Sequence, residues 1–298
     1  MLRNFATLFD RSYCAKGLAL HESLLRHSSE PFVLHILTMD METFWLLESM
    51  HLENVRLIPL QSFEMALNLE PVRQSRSWKE FCWTVASSLM EYLLPSVDDV
   101  TYLDADLYFF SDQKVIFDEV GALSIGITPH RFPAHRKHME INGIYNVGLV
   151  AAKNNDIGRE CISTWARNCR DWCFNRVEEH HACGDQKYLD TWNSDYPGKV
   201  CSIQHPGVNL APWNIDGYVI SADEAGNPLV DGLPVVFYHF HEFQHAHQLT
   251  NYHLRIYDKK CIYEPYIAAW ERASLRIYEQ EKIIAERRAE TELQGQRA

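Results

Sequence analysis

The chain has 298 residues, 46% of them hydrophobic and 12% aromatic, enough to bury a large core as one big domain or as a domain plus an extension. Its formal net charge of −12, with no basic run interleaved with aromatics to offset it, excludes a nucleic-acid phosphate footprint. No segment is apolar and uncharged for long enough to span a bilayer, and MLRNFATLFDRSYCAKG lacks the uninterrupted apolar stretch of a signal peptide, so the expectation is a cytoplasmic protein.

From the N-terminus, Phe5 to Phe9 reads as a strand, Tyr13 to Arg26 as a helix and Phe32 to Thr38 as a second strand, a βαβ unit. Further apolar runs at Val55 to Pro59 and Val100 to Asp104 continue the alternation. They predict an α/β fold, a mostly parallel twisted sheet covered by helices on both faces. Ligands of such sheets bind at the carboxyl ends of strands. The turn carrying Phe9, Asp10 and Tyr13 and the end of the Val100 strand are therefore expected to line one crevice. Between them, WKEFCWTVASSLMEYLLP is an amphipathic helix stopped by Pro95.

At that strand end, VTYLDADLYFF delivers Asp104 and Asp106, whose side chains, two apart on a strand, project to one side while Ala105 turns into the core. Neighbouring carboxylates repel unless a cation sits between them, and hard divalent ions such as Mg²⁺ and Mn²⁺ prefer carboxylate oxygens. By itself the triplet is also common turn chemistry. Next come two strands, LSIGITPH and YNVGLVAA, around the polar, partly basic connection RFPAHRKHMEING. Gly158 to Val177 has helical periodicity, and Pro206 to Pro234 is irregular. Within GDQKYLD, Asp185 suits the cap of a helix N-terminus. VVFYHFHEFQHAH starts as a strand and brings His239 to its end, and two carboxylates with one imidazole make an open site for Mn²⁺ or Mg²⁺. From Tyr252 the chain is predicted helical, with dense charge of both signs after Trp270, which suits a solvated helix, a partner-binding helix or partial disorder.

Eight cysteines, Cys14, Cys82, Cys161, Cys169, Cys173, Cys183, Cys201 and Cys261, form no Cys-x-x-Cys pair and read as small buried hydrophobes. Cys169 and Cys173 share a helical stripe with Ile162, Trp165 and Trp172, which favours core packing over zinc.

The succession TLFDRSYCAKGLAL, WKEFCW, YLDADLYFFSD, YNVGLV, GDQKYLD and a strand ending in His-Phe resembles the family-8 glycosyltransferases of the GT-A fold, which include glycogenin, from about residue 4 to residue 240. The resemblance implies a GT-A, Rossmann-like domain over 1–250 and a C-terminal helical extension over 251–298. It also implies a nucleoside-diphosphate sugar donor, usually a UDP-sugar, and a Mn²⁺ (or Mg²⁺) ion. The sugar would pass with retention to a saccharide, glycolipid or other hydroxyl acceptor, in cell-surface polysaccharide or glycolipid synthesis, with peripheral membrane association left open. Position by position, Asp104, Asp106 and His239 match the metal ligands, Asp104 also approaching the donor ribose. Thr7, Phe9, Asp10 and Tyr13 match the segment holding base and ribose, and Lys79 matches a lysine facing the donor. Asn146 with Gly148 corresponds to the family's Asn-Ser-Gly, with Val147 in place of serine, and Asp185 and Gln186 match the catalytic pair beside the sugar.

Two departures mark a divergent branch. After its metal histidine the family has a glycine and then Lys-Pro-Trp, whose lysine touches the diphosphate, whereas this chain reads HFHEFQHAHQL. That contact must come from elsewhere, with His241, His245 or the loop around Arg136 and Lys137 as candidates. GVNLAPWN keeps an Asn-Leu but has its own Pro-Trp, which suggests a different acceptor. Three rival functions are weighed against the transferase. A phosphatase using Asp-x-Asp as nucleophile and acid has Thr or Val after the pair, where this chain has Leu107. A glycoside hydrolase built on Asp185 needs no metal pair. A non-catalytic nucleotide-sugar-binding scaffold would keep the fold without the chemistry.

Overall fold

The computed structural model describes residues 1–178, 181–182 and 184–295, so Cys183 lies outside the described residues. In chain order it contains β1 (Arg3–Phe9), α1 (Cys14–His27), β2 (Phe32–Thr38), α2 (Met41–Met50), β3 (Val55–Pro59), α3 (Leu60–Leu67), α4 (Glu70–Gln74), α5 (Trp78–Leu93), β4 (Asp99–Leu103), β5 (Leu107–Phe109), α6 (Lys114–Val120), β6 (Ile125–Pro129), β7 (Tyr145–Lys153) and α7 (Asp156–Asp171). A seven-stranded sheet runs Val200–Ser202, β6, β7, β4, β1, β2, β3. The β1–β2, β2–β3 and β1–β4 pairs are parallel, as is β6 with the edge strand, and β7 is antiparallel to both its neighbours. This is the mostly parallel α/β sheet that the βαβ alternation predicts.

Period-two alternation sorts the sheet's side chains between two cores. Ala6, Leu8, Val100, Tyr102 and Val150 face one way, against Phe81, Val85 and Leu89 of α5 and Ile162, Trp165 and Cys169 of α7. Phe5, Phe9, Leu103, Leu149 and Ala151 face the other, against Leu20 and Leu24 of α1 and Leu46 and Leu47 of α2. The start of α5 is fixed by a capping box in which Ser77 and Glu80 satisfy each other's backbone N–H. That start sets Trp78 and Lys79 on the crevice side of the first turn, close to β1's end, where the Trp78 indole N–H donates to Asp10.

Several segments differ from the sequence expectation. α7 ends at Asp171, not Val177, because Trp172 turns extended; Cys173 nevertheless drops into the same core as Cys169. All described cysteines are free, and all but Cys82 are buried. The 131–143 connection winds into 3-10 turns over Ala134–Asn142, and the irregular 206–234 stretch holds a small antiparallel sheet of Ile220–Ala222, Pro228–Val230 and Leu233–Pro234. The helix Glu264–Gly295 is not fully solvated, since Tyr266, Ala269, Ala273 and Ile277 are buried and it lies on α1 and α2. Arg272 reaches Glu22 of α1 at 2.5 Å, and the Gln280 amide donates to Ser49 of α2. Among the described residues, no helix is long and apolar enough to cross a membrane.

Candidate active site

β4 stops at Leu103, so Asp104 to Asp106 form a tight turn and not the extended strand end expected, with the Leu107 N–H donating to the Asp104 carbonyl at 3.2 Å. The two carboxylates share one side because this turn folds them toward a common partner, not because of strand alternation. Ala105 is buried in the core, as the sequence pattern requires. The partner is His239, at the end of the strand Phe237–His239, which pairs antiparallel with β5 in the register His239 opposite Leu107. Its N–H donates to the Leu210 carbonyl, and the Phe240 N–H donates to the Asp106 carbonyl, both at 2.8 Å. This backbone ladder sets the His239 Nε2 3.1 Å from the Asp106 Oδ1 and 3.7 Å from the Asp104 Oδ2.

The imidazole's other face is fixed by β7. The Gly148 N–H donates to the Asn146 Oδ1 at 3.0 Å, which assigns that atom as the amide oxygen, and the same oxygen lies 3.2 Å from the His239 Nδ1. An oxygen there accepts the hydrogen bond of Nδ1–H, so Nε2 is the nitrogen turned to the aspartates; its proton bonds Asp106 here and is the one a cation would displace on ligation. Gly148 is needed for this contact: a Cβ on it would lie 2.5 Å from the Asn146 Oδ1 and 2.7 Å from the His239 Nδ1. Gly148→Ala is therefore expected to push the imidazole off its position and weaken Mn²⁺ binding by roughly ten- to a hundredfold while the fold stays intact. Isothermal titration with Mn²⁺ beside circular dichroism checks this, and unaltered metal affinity would refute the orienting role.

The ligand atoms of Asp104, Asp106 and His239 all lie within 4.8 Å of one another. Two carboxylates and an imidazole with its Nε2 turned inward suit a hard or borderline divalent cation, so these residues fit the ion the sequence implies. The electrostatics agree. Burial pushes the Asp104 carboxyl up, and Asp106 beside it pushes further. Asp106 is buried too, but the charge and hydrogen bond of His239, with Lys16 and His241, outweigh burial and hold it below the usual carboxylate range. Burial alone would lower His239, yet Asp106 raises it. A positive charge among these groups is thus already favoured by the fold. The Tyr102 hydroxyl, donating to the Asp104 Oδ1 at 3.0 Å, steadies the more exposed carboxylate.

A chain of contacts leads on to the Asp-Gln pair. The Asn146 amide N–H₂ lies 3.5 Å from the Gln186 Oε1, and the Gln186 Nε2 donates to the Asn142 carbonyl at 2.8 Å. Gly184, at φ +67° with Trp83 against its α-carbon, supplies the left-handed turn that sends the chain inward before Asp185. Asp185 precedes a 3-10 turn, Gln186–Thr191, but its side chain makes no capping hydrogen bond, so a cap does not explain it. Burial, with Asp104 adding to it, pushes its carboxyl up to about 8.

The other expected donor contacts are distributed unevenly. Thr7 and Phe9 have their side chains packed inside the sheet, Phe9 against Gly17, so what they offer a ligand is backbone. Asp10 caps the turn at Arg11–Tyr13, accepting from the N–H groups of Ser12 and Tyr13 and from the Trp78 indole, and those bonds outweigh burial to keep it ionised. Tyr13 is 42% exposed at the crevice, where the fields of Asp106 and Asp104 add to burial in raising its hydroxyl pKa. Lys79 is exposed, its ammonium 4.9 Å from the Trp83 ring centroid. Trp213 is buried, its ring edge-on to both His239 and His241, so it walls the imidazole.

Two suggested phosphate contacts are corrected. Arg136 is bonded to both carboxylate oxygens of Asp216 at 2.7 Å and lies over the Tyr252 ring, and Lys137 is paired with Glu140. His245 is exposed in a tight turn with Gln248. His241 stays near the cluster, its ring centroid 6.1 Å from that of His239. One residue went unremarked in the sequence: Lys16, 6% exposed, with its ammonium 3.9 Å above the Tyr13 ring and Asp106 the carboxylate whose field it feels. The signal was a lone charge within CAKGLAL, on the helix face that must pack against the sheet.

No family model matches the chain. Among solved structures it is similar to the galactosyltransferase LgtC in complex with donor and acceptor sugar analogues, with a TM-score of 0.57 and 17% identity over 90% of this chain and 95% of that one. It is also similar to mouse xyloside xylosyltransferase 1 in its apo form, with a TM-score of 0.52 and 13% identity over 80% of this chain and 97% of that one. These likenesses show the GT-A glycosyltransferase fold. In sequence it is similar to the uncharacterized protein YfnD of Bacillus subtilis (strain 168), 31% identical over 276 residues, 89% of this chain and 87% of YfnD. YfnF of the same organism is 30% identical over 250 residues, 80% of this chain and 81% of YfnF. At that identity and coverage, the chain belongs to the family of the Bacillus subtilis YfnD and YfnF proteins, on a GT-A fold.

Proposed function

We propose that the protein is a metal-dependent glycosyltransferase of the family-8 type, moving a sugar from a nucleoside diphosphate, a UDP-sugar first among them, to a hydroxyl acceptor with retention. Residues 1–250 are the transferase domain, and 251–298 its helical extension. The single observation that carries this is the convergence of Asp104, Asp106 and His239 at the carboxyl end of a GT-A sheet, with the His239 Nε2 turned toward both carboxylates.

Asp104, Asp106 and His239 would hold a Mn²⁺ or Mg²⁺ ion, which when bound neutralises charge developing on the departing diphosphate. Asn146 and Gly148 hold His239 in the tautomer that ligation needs. Asp185 stands where positive character builds at the anomeric carbon, and Gln186 is fixed by Asn142 to hydrogen-bond the sugar. Lys79 and Tyr13 border the donor. Trp213 and the Pro-Trp turn around it shape the acceptor side in place of the family's pattern.

A thermal-shift screen of UDP-, GDP-, CMP- and dTDP-sugars, each with and without Mn²⁺, tests this. One donor should raise the unfolding temperature by several degrees only when the metal is present. Indifference to every nucleotide under both conditions would reject the transferase.

A further inference from the structure

We propose that Lys16 supplies the positive charge that holds the donor's diphosphate against the metal, replacing the lysine that this branch lacks after its metal histidine; this rests on the transferase function proposed above. Lys16 sits in the first turn of α1, beside the carboxyl end of β1, and is withdrawn from solvent although it is a lysine. Lysine is rarely buried unless its ammonium is paired. Among the described residues this ammonium has no hydrogen bond or ion pair; its contact is the face of Tyr13, 3.9 Å from the ring centroid. Burial lowers its pKa, and the field of Asp106 opposes that. A largely buried lysine whose ammonium has no anion of its own, keeps a path to solvent and lies within the field of Asp106 is arranged for an anion that arrives later.

Charge counting identifies that anion. Asp104 and Asp106 neutralise a divalent ion between them, so a diphosphate bound to the metal brings negative charge that the ligands do not balance. The cations around the crevice divide clearly. Arg136 is committed to Asp216 and Lys137 to Glu140, while Lys79 is exposed. His241 is half-buried, its ring edge-on to Trp213 and to His239. Lys16 is the fixed charge on the Asp106 side. A diphosphate lying between the metal and Lys16 gains a charge-assisted hydrogen bond there, with the Tyr13 ring 3.9 Å from the ammonium as its other contact.

The test compares the wild-type protein with Lys16→Met and Lys16→Arg. Methionine matches the volume of the lysine stem and removes a buried charge, so Lys16→Met should unfold at the same or a higher temperature without ligand. Titration with Mn²⁺ alone should be unchanged, or tighter in Lys16→Met. Titration with preformed Mn²⁺–pyrophosphate should be weaker by about tenfold or more in Lys16→Met, and within about threefold of wild type in Lys16→Arg. Equal pyrophosphate affinity in Lys16→Met and wild type overturns the assignment and leaves the metal site standing. A wild-type protein that binds Mn²⁺ but not its pyrophosphate complex also overturns it. Failure to bind Mn²⁺ at all removes both this inference and the metal-dependent function beneath it.

Discussion

Asp106→Ala should lower sugar transfer by at least about a hundredfold and abolish measurable Mn²⁺ binding, because it removes the carboxylate nearest the His239 Nε2. The fold should survive. The contact that holds the 237–239 strand at this point runs from the Phe240 N–H to the Asp106 backbone carbonyl, which alanine keeps. The substitution relieves the repulsion that Asp104 feels, but it also removes the carboxylate that His239 stabilises by charge and hydrogen bond, so the unfolding temperature without metal should fall by a few degrees while the fold stays intact. Turnover, Mn²⁺ titration and thermal unfolding on one preparation decide the matter. Unchanged turnover rejects the metal role, and lost turnover with a collapsed fold would point to a structural role instead.

Asp185→Asn is expected to reduce kcat by about a hundred- to a thousandfold while shifting donor KM by no more than about threefold. The carboxyl is buried, makes no helix cap, and has been pushed up to about 8, so the ligand-free protein carries it protonated at neutral pH. The field of Asp104 contributes to that rise. A cation beside Asp104 cancels this contribution, drawing Asp185 toward the ionised form a charge-stabilising or nucleophilic carboxylate needs. Asparagine preserves shape and hydrogen bonding but never ionises, so the loss should fall on turnover. An effect confined to donor affinity rules out direct participation of Asp185 in the chemical step.

The candidate site residues were more legible than the geometry that gathers them. Asp104, Asp106 and His239 stood out because each ends an apolar run, and apolar runs in an α/β chain become strands whose ends open on a crevice. Their actual arrangement was hidden, because it depends on a tight turn at Asp104 to Asp106 and on the pairing of β5 with a strand far along the chain. Neither leaves a local signature. Gly148 and Gly184 looked like parts of short motifs, and their steric reasons emerge only when Asn146, His239 and Trp83 are brought against them. Arg136 and Lys137 drew attention as a basic loop, but Asp216 and Glu140 claim them through contacts that charge patterning does not anticipate. The strands β2 and β3 have the boundaries expected of them, whereas α7 stops short at Asp171, where Trp172 turns extended although the apolar spacing continues to Cys173.

The pairing of Phe237–His239 with Leu107–Phe109 also sets a schedule for biosynthesis. While a ribosome is still translating the middle of the message, the nascent polypeptide holds its two acidic groups without the imidazole that completes the cage. The three groups of the proposed metal site therefore come together late, after the closing strand has left the exit tunnel and zipped into place, so an unfinished copy of this protein holds only part of it.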